Sequence, residues 1–519
     1  MNVELLGVLL LVGSVVILVA IAAVRLAVGS GFPTLLLYLG LGIVLGEDVL
    51  GQDFDDPELA RALGYAALVV ILAEGGLTTS WRDIRAAVPA AGSLAVVGTA
   101  TSVGVVAAAS HLLLDISWQE AVLIGAVLAP TDAAAVFSVL RRVPLPPRLA
   151  GLLEAESGFN DAPAVILVVA LAGASAPTWW ELLLLIGYEL AVGAVVGVAV
   201  GWAGAWGVRR IALPASGLYP IAVMALCCAA YGAAAVIHSS GFLAVYLAGL
   251  VLGNSRLPHR PATRGFAEGF AWLAQIGLFV MLGLAATPSE LLPSLLPALG
   301  IGVVLLTVAR PLSVLLALGP FGRRAAGDPV PDGGHEGGST WRFPTTWTER
   351  GLLSWAGLRG AVPIVLATAS ADDDVFNLVF VLVVVFTIVQ APTLPAVARR
   401  LGVVAEGETQ PLDIESSPLT RLDADLLQVH VPAGSRLAGV EVVELSLPEG
   451  ASVTLVVRDG RAFVPRASTP LQVGDDLILV ATDAARPDVE RRLRAVSLGG
   501  RLADWHNPRR RPRRRPPAP

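Results

Sequence analysis

The chain has 519 residues, 55% of them hydrophobic and only 15% charged, and its mean hydropathy is +0.71. Soluble proteins carry about a quarter charged residues, so this balance excludes an ordinary soluble globule and assigns most of the chain to a bilayer. The net charge of −6, reached without a single Lys, calls for no nucleic-acid partner, and the adjacent Cys227 and Cys228 supply neither a disulfide framework nor a metal site.

The N-terminus, Met1-Asn2-Val3-Glu4, lacks a basic leader, so the first apolar segment reads as a retained span. About thirteen apolar segments are long enough, or nearly so, to cross a hydrocarbon core. They lie at 3–27, 32–46, 62–78, 87–113, 118–139, 149–173, 181–207, 217–237, 239–253, 266–286, 293–318, 351–370 and 375–397. Their connections alternate in charge. One set carries Arg25, Arg82, Arg85, Arg141, Arg142, Arg148, Arg209, Arg210, Arg256, Arg260, Arg264, the arginines between 323 and 350, and Arg399 and Arg400. The other set is nearly free of Arg. Basic loops stay in the cytoplasm, which predicts an external N-terminus and a cytoplasmic C-terminus; the membrane expected for it is a bacterial inner membrane.

Residues 320–349, rich in Gly, Pro and charge, read as a cytoplasmic loop. After a membrane domain over 1–400 and a linker over 401–423, short alternating runs at 427–431, 442–447, 453–457 and 477–480 predict strands, with a terminal helix over 487–493. Residues 424–495 are thus expected to form a small α+β domain. The Arg-Pro tail, 496–519, is expected to be disordered, with anionic lipid headgroups as its natural partner.

Ionisable groups inside a span are costly and are functional candidates by default. The sixth segment reads Glu154-Ala155-Glu156-Ser157-Gly158-Phe159-Asn160-Asp161. On a helix Ser157 and Asp161 share one face, and Glu156 and Asn160 a neighbouring one. The segment offers carboxylate, hydroxyl and amide oxygens, the hard ligands that suit Na⁺ or K⁺. A buried carboxylate binds a proton or a cation but not both well, and that competition couples two fluxes. The fifth segment carries Pro130-Thr131-Asp132 and the twelfth Gly357-Leu358-Arg359-Gly360-Ala361-Val362-Pro363, so both are expected to be broken. Paired broken helices at matching positions of two repeats, here 1–6 and 8–13 by segment count, point to a transporter site. Glu156 and Arg359 read as a mainly structural pair beside Asp161. Arg310, before Pro311, reads as structural, and Glu74 as a group near a membrane interface.

At these residues the chain resembles the monovalent cation:proton antiporter family of the bacterial NhaP antiporters and the animal Na⁺/H⁺ exchangers. The resemblance rests on Ala73-Glu74-Gly75-Gly76-Leu77, Pro130-Thr131-Asp132, Glu156 to Asp161 and Gly357 to Pro363, in the family's order. It implies an all-α polytopic fold with inverted repeats and two broken crossing helices, a homodimer, and a six-helix core that moves against a dimerisation domain. It also implies Asp161 as the carboxylate that binds the monovalent cation, Ser157 and Thr131 as supporting ligands, and a Glu156–Arg359 pair. Asn160 before Asp161 resembles the electroneutral branch. Residues 424–495 resemble a regulatory RCK C-terminal (TrkA-C) domain through Val431-Pro432-Ala433-Gly434-Ser435, Leu445 to Ala451 and Arg458-Asp459-Gly460. That combination is similar to the cell-volume (CvrA-like) K⁺/H⁺ antiporters and implies K⁺ over Na⁺ and a cyclic dinucleotide as an optional regulator. No other cofactor and no enzymatic chemistry are expected. A gated cation channel or an ion sensor is the alternative.

Overall fold

The computed structural model describes residues 3–30, 33–46, 56–140, 143, 145–172, 178–322, 343–370, 372–404, 414–419, 424–432, 434–482 and 485–500. The chain divides into two compact units, Met1–Val404 and Ala405–Pro519.

The first unit is helical. In chain order it contains α1 (Val3–Ser30), α2 (Thr34–Leu45), α3 (Pro57–Thr78), the short α4 (Trp81–Ile84), α5 (Val88–Ser93), α6 (Thr99–Leu114), α7 (Trp118–Val127), α8 (Ala133–Leu140), α9 (Pro147–Leu171) and α10 (Trp179–Arg210). Then follow α11 (Leu218–Val236), α12 (Gly241–Asn254), α13 (Arg260–Leu284), the short α14 (Pro288–Leu291), α15 (Leu295–Val304), α16 (Arg310–Leu318), α17 (Trp347–Trp355), α18 (Ala361–Ala367) and α19 (Asp373–Arg400). One π-helical turn, Leu94–Gly98, joins α5 to α6, and another, Leu305–Ala309, joins α15 to α16. Among the described residues seven helices are long and apolar enough to cross a membrane, and shorter apolar helices accompany them.

Reciprocal capping boxes start three of the helices, at Ser117/Glu120, Thr178/Glu181 and Thr346/Glu349. Each satisfies amide donors that the first turn leaves open. Glycine permits the closest helix approaches, as is usual where helices cannot rely on a hydrophobic drive. A Cβ on Gly76 of α3 would lie 2.4 Å from the Tyr246 carbonyl oxygen of α12.

The second unit is a five-stranded antiparallel sheet with one helix. The strands are β1 (Ile414–Leu419), β2 (Ala424–His430), β3 (Ala451–Arg458), β4 (Arg461–Phe463) and β5 (Asp476–Thr482), in the order β1-β2-β5-β3-β4, and the helix is α20 (Arg486–Gly499). Alternate residues of β2 and β5, among them Leu427, Val429, Leu477 and Leu479, meet Val489 and Leu493 of α20 in a buried core.

Four expectations change, one of them in the expected tail 496–519, whose residues 496–499 complete α20 with Val496 and Ser497 buried. Residues 442–445 form a 3₁₀ helix where a strand was predicted, because Glu441 and Glu444 cap it and Ser446 ends it in a left-handed conformation at φ 46°. The sheet begins at Ile414 within the expected linker, since β1 pairs along β2. The expected loop 320–349 is structured at both of its described ends: Gly319–Phe321 form a 3₁₀ turn, Phe343, Thr345 and Thr346 are buried, Arg148 lies over the Phe343 ring at 4.3 Å, and α17 starts at Trp347. Residues 501–519, which include the Arg-Pro run, lie outside the described residues.

Candidate functional site

Pro130 has no amide hydrogen and its ring clashes with a preceding turn, so α7 cannot run on into α8. Residues 128–132 are left as a non-helical break. Residues 356–360, with Gly357 and Gly360, break α17 from α18. The two breaks cross and bond to each other. The Asp132 amide donates to the Leu358 carbonyl at 2.9 Å, and Arg359 Nε donates to the Leu128 carbonyl at 3.0 Å.

The crossing sorts charge. Leu128 and Gly357 follow the C-terminal ends of α7 and α17, where open carbonyls gather partial negative charge. Arg359 reaches both, giving Nε to Leu128 and Nη1 to the Gly357 carbonyl at 2.5 Å. Asp132 stands at the opposite ends. Its Oδ1 accepts from the Ala135 amide in the first turn of α8 at 3.2 Å, and Oδ2 lies against Gly360, which precedes α18. A Cβ on Gly360 would come within 1.9 Å of that oxygen, so only glycine fits here.

Helix α9 brings the other groups. Glu154, Ser157, Gly158 and Asp161 are spaced i, i+3, i+4 and i+7, and all four line one cavity of about 500 Å³. Ser157 Oγ accepts from the Ala133 amide at 3.2 Å, tying α9 to the start of α8. Asn160 donates from Nδ2 to Thr131 Oγ1 at 2.7 Å. Asp161 is 6% exposed, and its Oδ1, like Asn160 Oδ1, accepts no hydrogen bond among the described residues. A buried acceptor without a donor is a group that a proton or a cation can satisfy.

Among the described residues, five carboxylates line this cavity, on Glu74, Asp132, Glu154, Asp161 and Glu268, and no Arg or His does. Such a cleft focuses a negative potential and concentrates cations. Of the residues the sequence marks as ion ligands, Asp161, Ser157 and Thr131 together with Asp132 and Asn160, whose oxygens beside Asp161 are expected to contribute, all but Asn160 line it, and Asn160 stands behind Thr131. Glu74, expected near an interface, faces the cavity. Glu154 and Glu268 were not singled out from the sequence. Glu154 carried a signal, because it precedes Asp161 by two helical turns. Glu268, on α13, carried none.

The expected Glu156–Arg359 pair does not form. Glu156 is held by Arg310, with Nη1 to Oε1 at 2.6 Å and Nη2 to Oε2 at 3.1 Å, and both residues are buried. The reason is competition. The carbonyl ends of two half-helices engage Arg359, whereas Arg310 starts α16 with its fork facing α9.

The model of the transmembrane sodium/hydrogen exchanger family matches residues 13–400. The chain belongs to that family. Its members are membrane transporters, so this chain is a transporter and not an enzyme. A TrkA-C domain matches residues 426–494. Over 503 residues the chain is 34% identical to the K(+)/H(+) antiporter NhaP of Alkalimonas amylolytica, covering 94% of this chain and 83% of the relative. It is 34% identical over 488 residues to the K(+)/H(+) antiporter NhaP2 of Shewanella oneidensis, covering 91% and 81%. The Na(+)/H(+) antiporter ApNhaP of Aphanothece halophytica is 26% identical over 418 residues, covering 76% and 75%. In fold the chain resembles the sodium proton antiporter MjNhaP1 of Methanocaldococcus jannaschii, with a TM-score of 0.62 at 19% identity over 76% of this chain and 99% of that one.

Proposed function

We propose that this exchanger-family protein trades a monovalent cation for a proton at Asp161, with K⁺ as the preferred cation and Na⁺ as the alternative. The observation that carries the reading is the buried Asp161 oxygen, which no donor reaches among the described residues, in a cavity that those residues line with acids and no bases. A carboxylate there is neutralised by a proton or by a cation. Thr131 and Ser157 supply oxygens beside it, and Asn160 fixes Thr131. The relatives named as K(+)/H(+) antiporters support K⁺.

One-for-one, electroneutral exchange fits the division of labour among the acids. Of the carboxylates beside the broken helices, Asp132 is engaged at the starts of α8 and α18 and Glu156 by Arg310, whereas Asp161 keeps a buried oxygen that no donor among the described residues reaches, which favours Asp161 as the one that exchanges its partner. In this reading all thirteen apolar segments cross the bilayer as two inverted repeats, with the N-terminus outside and the C-terminal unit in the cytoplasm. The protein works as a homodimer by alternating access, and the TrkA-C domain regulates it, with a cyclic dinucleotide as the first ligand to try.

The test is cation-triggered proton movement in inside-out vesicles lacking other antiporters, with K⁺, Na⁺ and Li⁺ added separately. The expected result is a K⁺ response that disappears in Asp161→Asn at equal membrane levels. A response to Na⁺ or Li⁺ alone would overturn the substrate. Retained exchange in Asp161→Asn would overturn the site, and no response to any cation would favour a channel or a sensor.

A further inference from the structure

The two π-helical turns occupy matching places, one just before α6 and the other just before α16. A π-turn inserts a residue and displaces the hydrogen-bond ladder, so carbonyls at its end need another donor. Each turn is followed at the same distance by a serine. Ser102 stands four residues after Gly98, the last residue of the first turn, and Ser313 four residues after Ala309, the last of the second. The two hydroxyls meet at 2.8 Å, and both serines are buried. The arrangement is not symmetric in its bonds. Ser313 Oγ lies 2.9 Å from the Gly98 carbonyl and 2.8 Å from the Ala309 carbonyl, so one hydroxyl reaches the last carbonyl of both turns.

Arg310 is the residue that follows the second turn directly, and its guanidinium holds both oxygens of Glu156 on α9. Glu156 lies four residues before Asn160, which holds Thr131. The direction in which α16 leaves its π-turn therefore decides how Arg310 meets α9. We propose that Ser313 is a positioning residue for ion exchange: its hydroxyl ties the ends of the two π-turns and so fixes Arg310 against Glu156. The idea rests on the exchange reading of the site, but one of its measurements does not need activity.

Ser313→Ala is compared with Ser102→Ala, which removes one partner of Ser313 but leaves its single O–H proton shared between the two carbonyls. In the vesicle assay Ser313→Ala is expected to lower the maximal rate about fivefold, the effect of one buried hydrogen bond. The half-saturating cation concentration should stay within about twofold, because neither Arg310 nor Glu156 lines the cavity. Ser102→Ala should keep the wild-type rate. Hydrogen exchange on the purified full chain should show faster exchange over 94–102 and 305–313 in Ser313→Ala only. A wild-type rate in Ser313→Ala, equal losses in both variants, or unchanged protection in both segments would each overturn the proposal. Absence of exchange in the wild type would instead strike at the function of the site, and the protection measurement would still decide the role of Ser313.

Discussion

Arg359 reaches across the crossing to Leu128, its Nε donating to that carbonyl at 3.0 Å while Nη1 of the same guanidinium serves Gly357. One planar fork closes the ends of two half-helices that are far apart in sequence. Lys cannot copy this, because an ammonium is a point charge without the fixed spread of donors. Arg359→Lys is expected to lower the exchange rate about tenfold or more, although the charge is kept. Near-normal exchange in vesicles would show that charge alone is needed.

Gly360 gives a steric prediction. Ala there would drive its Cβ into the Asp132 carboxylate, whereas a Cβ on Gly104 of α6 would meet nothing within 4 Å. Gly360→Ala should reduce exchange by about tenfold or more through displacement of Asp132, while Gly104→Ala should be close to neutral. Equal behaviour of the two variants would show that the crossing has room for a methyl group beside Asp132.

Glu154 and Glu268 line the cavity with Asp161, and Glu154 also accepts a hydrogen bond from Thr79 Oγ1. If their charges gather cations, Glu154→Gln and Glu268→Gln should raise the half-saturating cation concentration by about two- to fivefold at low ionic strength, and less at high salt. Thr79→Val, which removes the hydrogen bond and keeps the charge, should not do so. A salt-independent change, or the same change in Thr79→Val, would assign Glu154 a structural task.

In the soluble unit, burial opposes ionisation of Asp475, but hydrogen bonds from Arg458 and the Gln472 amide, with the Arg458 charge, outweigh it and hold the carboxyl below its ordinary value of 3.8. A folded value below the unfolded one contributes stability that is fully present above the ordinary value and is lost as pH falls through the lowered one. Asp475→Asn should therefore destabilise this unit by roughly 3 kcal/mol near neutral pH, with the difference from wild type shrinking below about pH 4. Protease cleavage within residues 424–495 of the full chain, followed against pH, would measure it. A deficit that persists at low pH would assign the loss to packing.

How much was legible can be judged residue by residue. Pro130, Gly357 and Gly360 announced both breaks, because a missing donor and a missing Cβ act on the local backbone alone. The i, i+4 spacing placed Ser157 and Asp161 on one face for the same reason, and the alternation in β2 and β5 placed the core of the second unit. The run at 442–447 was misleading, since its apolar pattern suits a strand while the Glu441–Glu444 cap selects a 3₁₀ helix.

The sequence by itself determined the apolar helical class, the two broken segments, the shared face of Ser157 and Asp161 on α9 and the sheet that follows, since each depends on neighbours along the chain. Only the tertiary structure decided that Glu156 belongs to Arg310, that Arg359 serves two carbonyls, and that Glu268 shares a cavity with Asp161. Two buried arginines and several buried acids allow more than one pairing. The choice among them is made by where separate helices meet in space, which no local pattern encodes.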